Sequence, residues 1–395
     1  MKSLKKILAI SLLVISCGNA NNLDENRIIT FNLKELPKAT IVRLSDLGFV
    51  DIEYTLLETK DSSLFSCTNN LIVRGKLVVG DGFYIIKCLH DILMFKDNGI
   101  FEKKIGTRGR GPNEYLVAHD VQVDKKNQEI YILAGWQQKF FVYSTNGELI
   151  RTFQIPFFCS EFTFVENGIL CYSENHMGNI EKSYNLIDTN GNIIKSFSNK
   201  YPFHNHDAYD ILGENLFYHF NTQVFKKEVY SDTVYLYKNG EFKPHLVINV
   251  GDKLITPNAR SKFEGVYLAD NYISPLKLFE FGNYVYYEFI YRWSNPRSLY
   301  SFIGSENDDF QVVFDRSQGI TNDIDGGPNI LPMTAKDDST IVALVDALQL
   351  KRHITSEEFK NSEPKYPAKK KELQNLANSL KETDNPVLMM VRLKK

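Results

Sequence analysis

Alanine is scarce in this chain, with 13 in 395 residues, and tryptophan scarcer still, with two. Alanine is the strongest helix former, so its scarcity excludes an alanine-rich helical bundle or doubly wound enzyme. A surplus of one charge is also missing: 46 Lys and Arg face 48 Asp and Glu, a formal net charge of −2. Binding to a phosphate backbone needs a basic excess, so no nucleic-acid partner is expected. The five cysteines show no Cys-x-x-Cys spacing, which removes zinc-ribbon and dithiol-redox motifs. No apolar run approaches the about 20 residues of a transmembrane helix. Aromatic residues are abundant: 27 Phe and 21 Tyr contribute to an aromatic fraction of 13%, and such residues favour strands. Charged and hydrophobic fractions of 24% and 43% are those of a folded globular chain.

The N-terminus carries an address. Lys2, Lys5 and Lys6 precede a short apolar stretch, Ile7 to Ile15, broken only by Ser11, the pattern of a secretory leader. Val14-Ile15-Ser16-Cys17 resembles the bacterial lipobox, which implies cleavage before Cys17 and lipidation of its thiol. Residues 1–16 are then a signal peptide, 17–26 a flexible polar tether, and 27–395 the folded part. Losing three lysines with the leader takes the net charge to −5. Asp24 and Glu25, near the lipidated cysteine, loosely resemble a surface-export signal of Bacteroides-type bacteria. The expected location is the outer membrane, periplasmic or surface-exposed, with the membrane as partner through the lipid on Cys17. Cys67, Cys88, Cys159 and Cys171 remain; export permits disulfides, and four cysteines allow three pairings. Cys159 and Cys171 flank a hairpin expected to turn at Asn167-Gly168, with Thr163 rather than Cys159 opposite Cys171. Buried free thiols are the favoured reading.

A repeat fills the middle of the chain. Asn-Gly is the strongest short hairpin signal, and Asn98-Gly99, Asn146-Gly147, Asn190-Gly191 and Asn239-Gly240 are spaced by 48, 44 and 49 residues. Each follows an aromatic or apolar run, such as Phe140-Phe141-Val142-Tyr143. A second turn lies upstream of each, at Asp81-Gly82, Asn127-Gln128, Asn167-Gly168 and Gly213-Glu214. Two turns per repeat describe a four-stranded antiparallel unit, and about 40 to 50 residues per unit is the period of a β-propeller blade. Five blades fall near 71–106, 118–155, 162–198, 208–250 and 272–316. The sixth starts near Ile330, uses Ser339 to Leu344 and ends with Val387 to Leu393, completed by a strand from 27–57. The expected fold is all-β, a six-bladed propeller in one domain. Two segments, about 257–269 and 367–383, read as helical insertions.

Gly109-Arg110-Gly111-Pro112-Asn113-Glu114-Tyr115, taken with the lipobox, resembles the six-bladed, NHL-like β-propeller lipoproteins of Bacteroides-type bacteria, whose hallmark is a Gly-Arg-Gly-Pro-x-Glu-Tyr segment between blades. Asp232-Thr233-Val234-Tyr235, Asn322-Asp323-Ile324-Asp325-Gly326-Gly327 and Asn385-Pro386-Val387-Leu388 are similar too. The resemblance implies architecture and location more than chemistry.

Candidate sites are few. Arg108 and Arg110 could reach an acidic or sugar ligand, with Glu114, Tyr115, His119 and Asp120 beside them. The competing reading has the glycines making an inter-blade crossing, Pro112 and Tyr115 packing between blades, and Glu114 bracing an arginine. His204 and His206 share one side of an extended segment but lack an evident third ligand; His176 and His219 are the nearest options. Asp323, Asp325 and Gly326 match calcium-loop positions, yet Pro332 stands where a bidentate Glu belongs, so an Asp-capped turn is favoured. No Gly-x-Ser-x-Gly or His-Glu-x-x-His occurs. Asp308-Asp309 and Asp337-Asp338 point to opposite faces of a strand, and Lys369-Lys370-Lys371 reads as a solvated helix face. No metal, cofactor or catalytic residue is assigned.

The favoured function is therefore a non-enzymatic binding or scaffold module for a protein, peptide or glycan. The alternative is a carbohydrate-active or other hydrolytic enzyme, which would gather polar residues at blade-initial positions such as His119 and Asp120. A third is a sensory or assembly partner of an uptake complex. Cys17→Ala is expected to move the protein from the membrane to the soluble fraction on cell fractionation; unchanged membrane association would overturn the anchor.

Overall fold

The computed structural model describes residues 28–34, 41–65, 75–88, 91–205, 210–294, 298–307 and 310–394. The leader, the tether with Cys17, and Cys67, His206 and Asp308-Asp309 lie outside these residues.

Two strands, β1 (Ile29–Asn32) and β2 (Phe49–Leu56), precede the repeat. Blade 1 is β3 (Lys76–Val79), β4 (Phe83–Cys88), β5 (Asp91–Lys96) and β6 (Phe101–Lys104). Blade 2 is β7 (Asp120–Asp124), β8 (Glu129–Ala134), β9 (Lys139–Ser144) and β10 (Leu149–Gln154). Blade 3 is β11 (Glu161–Val165), β12 (Gly168–Tyr172), β13 (Lys182–Ile187) and β14 (Ile193–Ser198). Blade 4 is β15 (Asn215–Phe220), β16 (Gln223–Glu228), β17 (Thr233–Lys238) and β18 (Glu241–Asn249). Blade 5 is β19 (Ser274–Phe281), β20 (Tyr284–Tyr291), β21 (Ser298–Ser305) and β22 (Gln311–Asp315). Blade 6 takes β23 (Thr334–Asp337), β24 (Thr340–Val345) and β25 (Val387–Leu393) from the C-terminal part, and β2 as its outer strand.

The first strands of successive blades touch in ring order, and β23 returns to β3. This is the six-bladed β-propeller the repeat predicts. Closure is antiparallel, with Ile52 opposite Val391. Strand β1 was not foreseen as a separate element: it adds a fifth, parallel strand to the edge of blade 4, Thr30 opposite Val247. Covering that edge removes a free row of backbone donors and acceptors.

Blade faces are buried by aromatic packing between neighbours. Phe140 meets Phe162 at 5.0 Å across blades 2 and 3, and Tyr184 meets Phe242 at 5.1 Å across blades 3 and 4. Phe49 stacks on Phe281 at 5.5 Å between blades 6 and 5.

Strand parity sorts the connections. In an antiparallel blade the first–second and third–fourth turns lie at one end, and the second–third and inter-blade connections at the other. All four Asn-Gly pairs are third–fourth turns, so they share the first face, the turn face. Among the described residues, the opposite, connection face carries the α-helices: α1 (Pro257–Lys262) and α2 (Gly265–Asn271) between blades 4 and 5, then α3 (Ala347–Thr355), α4 (Glu357–Asn361) and α5 (Pro367–Ser379) within blade 6. The helices α3 and α4 escape a sequence reading because their short apolar faces hold only Ala347, Leu350, Ile354 and Phe359 as buried positions.

Several local expectations need correction. Only Asn239-Gly240 has positive φ at both residues, at 53° and 76°; at the other three pairs only the glycine does. Those three are hairpins with three-residue loops closed by a glycine bulge, as in Gly99 N donating to Lys96 O and Lys96 N to Ile100 O. The blade 3 hairpin turns at Glu166-Asn167, so Phe162, not Thr163, faces Cys171. Gly213-Glu214 leads into β15, and the first turn of blade 4 is Asn221-Thr222. Lys369 and Lys370 are not freely solvated. Lys369 pairs with Asp51 and Lys370 donates to Ser362 O at 2.7 Å. Cys159 and Cys171 are buried free thiols.

The bulge glycines also seat one blade on the next. A Cβ on Gly191 would lie 2.1 Å from Gln154 O of blade 2, whereas one on Gly82 would meet nothing within 4 Å. Both have positive φ. Gly82→Ala is expected to cost about 1–2 kcal/mol of backbone strain, and Gly191→Ala about 1–3 kcal/mol more from overpacking. Urea unfolding of the two variants measures the difference, and equal losses would refute inter-blade seating.

Candidate functional site

Polar residues collect on the connection face around the start of the inner strands of blades 1 to 4. Inner strands begin at this face, so their first residues ring the channel mouth: Lys76, Asp120, Glu161 and Asn215. Lys76 Nζ lies 2.7 Å from Asp120 Oδ1, and Phe162 N donates to Asp120 Oδ2 at 3.2 Å. Asn215 Nδ2 donates to Glu161 Oε2 at 3.0 Å. Blade-initial positions therefore do gather polar groups, Asp120 among them.

Above this ring stands an aromatic platform. Strand β8 ends in a short 3-10 turn, Gly135–Gln137. A Cβ on Gly135 would lie 2.0 Å from Cys159 O, so glycine lets this turn press against the next inter-blade connection and push Trp136 outward. Trp136 is 65% exposed. Its ring packs 4.6 Å from Phe158, 5.8 Å from His119 and 6.5 Å from His176. His119 is fixed because its Nδ1 accepts from Gly135 N at 3.0 Å.

Carboxylates border the platform. His176 Nε2 lies 2.7 Å from Glu174 and 3.3 Å from Asp210, and the three form a tight set of candidate metal ligands. The Glu174 hydrogen bond raises the His176 pKa, while burial lowers that of His119. Glu214 lies beneath, 3% exposed, its Oε1 accepting from Tyr172 Oη and Asn175 N, both at 2.7 Å. Burial pushes Glu214 up to about 7. Burial and then the nearby Asp120 push Glu161 up to about 8.

The glycine-rich segment sits beside this site, joined to the Trp136 turn where Gln137 Nε2 donates to Glu114 O at 3.2 Å. Glu114 Oε2 accepts from Gly111 N at 2.8 Å and lies where a Gly109 Cβ would clash, at 1.9 Å. Glu114 thus braces glycine backbone rather than an arginine. Tyr115 is buried, donating to Ile105 O at 3.2 Å. Pro112 is exposed instead of packed, and its carbonyl accepts from Lys139 Nζ at 2.6 Å. Arg108 Nε donates to Leu116 O at 3.2 Å, and Arg110 is exposed.

His204 is exposed, and His219 bonds Thr163 at 2.7 Å. Asp325 Oδ1 accepts from Asn322 Nδ2 and Gly327 N, at 2.7 and 2.8 Å, which makes Asn322–Gly327 a side-chain-capped turn. Sequence reasoning missed Trp136, Phe158, Glu161, Glu174 and Glu214, and it named His176 only as an optional partner for His204 and His206. The available signal was one of only two tryptophans, placed directly after a strand.

Raised carboxyl pKa values have a pH signature. Between about pH 4.5 and about pH 8 the folded chain holds protons on Glu161 and Glu214 that the unfolded chain has lost, so stability falls as pH rises through that window. Glu161→Gln keeps the site neutral and is expected to shrink the difference in Tm between about pH 5 and about pH 8. An unchanged difference would show that Glu161 ionises normally.

The sequence matches the family described as a domain of unknown function, DUF4934, over residues 28–392. A solved Bacteroides fragilis NCTC 9343 protein described as exported is similar in fold, with TM-score 0.67 and 18% identity, covering 93% of this chain and 100% of that one. A DUF4221-family member from Bacteroides vulgatus ATCC 8482 gives TM-score 0.52 and 10% identity, covering 88% of this chain and 98% of that one. At such identities the likeness concerns fold alone. No curated protein matches the sequence. The match spans the entire propeller, and the chain belongs to the DUF4934 family.

Proposed function

We propose that this chain is a lipid-anchored, extracytoplasmic propeller that binds a glycan on its connection face, with Trp136 as the stacking surface. The lipobox-like Val14-Ile15-Ser16-Cys17 and the exported description of the Bacteroides fragilis protein support the location. The single observation that carries the ligand class is Trp136, 65% exposed on a short turn yet backed by Phe158 and His119. An exposed indole backed by other rings presents a flat apolar face with a polar edge, and a backed indole loses little conformational entropy on binding. A sugar ring presents C–H groups to such a face and hydroxyls to its rim. Glu174, His176 and Asp210 supply acceptors and a donor at that rim.

One observation favours hydrolysis as a second reading. Glu161, pushed up to about 8, stands near Asp120, which is paired with Lys76. A carboxyl group with a raised pKa beside a second carboxyl group is a candidate general acid.

Titration of the purified protein with a panel of oligosaccharides, followed by tryptophan fluorescence, tests both. Trp136→Ala is expected to abolish the signal-linked binding, confirmed by calorimetry, with Tm unchanged. Binding unaffected by this substitution would overturn the platform, and binding of peptides alone, lost in Trp136→Ala, would replace the glycan. Release of new reducing ends by the wild type but not by Glu161→Gln would establish the hydrolytic reading.

A further inference from the structure

A second cluster lies away from the connection face, between blades 4 and 5. His245 is on β18, Glu280 near the end of inner strand β19, and Glu306 in the turn after β21. His245 Nε2 and one carboxylate oxygen each from Glu280 and Glu306 all lie within 4.8 Å of one another. Glu280 is 1% exposed. Glu306 Oε1 is sealed from solvent without a donor. Two carboxylates packed together in such a place require something positive between them: a shared proton or a cation.

We propose that His245, Glu280 and Glu306 bind one divalent cation of the zinc class, clamping blade 4 to blade 5. One imidazole nitrogen with two carboxylate oxygens is a borderline donor set that suits zinc, whereas calcium takes six to eight oxygens. The spacing fits as well. Two ligands about 2.0–2.1 Å from a tetrahedral zinc stand about 3.3 Å apart, and His245 Nε2 lies 3.0 and 3.1 Å from the two Glu280 oxygens. The supporting groups that orient metal ligands are in place: Tyr218 Oη donates to Glu280 Oε1 at 2.5 Å, and the His245 ring packs 4.5 Å from Phe225.

The test uses full-length protein purified in detergent, stripped with a chelator and titrated with zinc chloride by calorimetry, with cobalt(II) absorption as a second readout. One zinc per chain is expected, with a rise in Tm and tetrahedral cobalt bands. His245→Ala and Glu306→Gln should each abolish binding, and Tyr218→Phe should weaken it roughly tenfold or more. Glu306→Gln removes a charge with little change of shape, so it serves if His245→Ala fails to fold. His176→Ala, in the cluster beside Trp136, should leave the titration unchanged. Absence of zinc binding by the wild type would overturn the proposal in favour of a shared proton. Binding that survives Glu306→Gln but is lost in His176→Ala would overturn it by moving the metal to the connection face.

Discussion

A four-stranded blade cannot bury both its faces alone, so every blade here depends on two neighbours and the ring depends on its closure. Strand β2 carries that burden by pairing with β25 along its whole length, from Phe49 opposite Leu393 to Leu56 opposite Val387. The chain then leaves β2 for blade 1 through a segment pinned by Asn385. Its Nδ2 donates to Glu58 O at 2.9 Å and Ser63 O at 3.0 Å, and its Oδ1 accepts from Phe65 N at 3.0 Å. A buried amide that satisfies three backbone groups is costly to replace. This gives a physical reason for the Asn-Pro-Val-Leu segment ahead of the last strand: it locks the outgoing chain to the strand that closes the ring.

Parity then determines where function can sit. Tight turns leave little room for insertion, and the turn face is further committed because its bulge glycines abut the outer strand of the preceding blade, as Gly99 does Leu56 and Gly191 does Gln154. Only the connection face can grow. Blades 5 and 6 use that freedom for helices; blades 2 to 4 use it for Trp136, His176 and the carboxyl groups around the mouth. Helix α1 reaches the same cluster, since its Arg260 donates to His176 O at 3.3 Å.

This division also explains what the sequence could reveal. Blade count, blade limits and closure were legible because Asn-Gly turns and aromatic runs recur with the period of the fold, and each signal is local. The site was not legible in the same way. Glu161, Glu174, His176 and Glu214 come from three separate stretches and meet only because inner strands converge. The Gly106–Tyr115 segment shows the converse. Its arginines and glycines look like a ligand loop, yet Glu114 and Tyr115 spend their polar atoms on Gly111 N and Ile105 O. Strong local patterns reported construction; recognition was distributed.

Buried charge shows how the same aromatic packing serves both ends. Lys226 is 3% exposed, paired with Glu228, and its ammonium lies over Tyr184, Tyr235 and Phe242 at 4.4, 5.0 and 4.7 Å. Ring faces replace part of the hydration that burial removes, so a lysine can stay between blades 3 and 4. Carboxyl groups gain nothing from ring faces, whose electrostatics repel anions. Burial, with no cation packed against them among the described residues, moves Glu161 and Glu214 toward their neutral forms. Burial lowers the Lys226 pKa as well, and Glu228 opposes that shift, so a buried charge persists here where an opposite charge is packed against it.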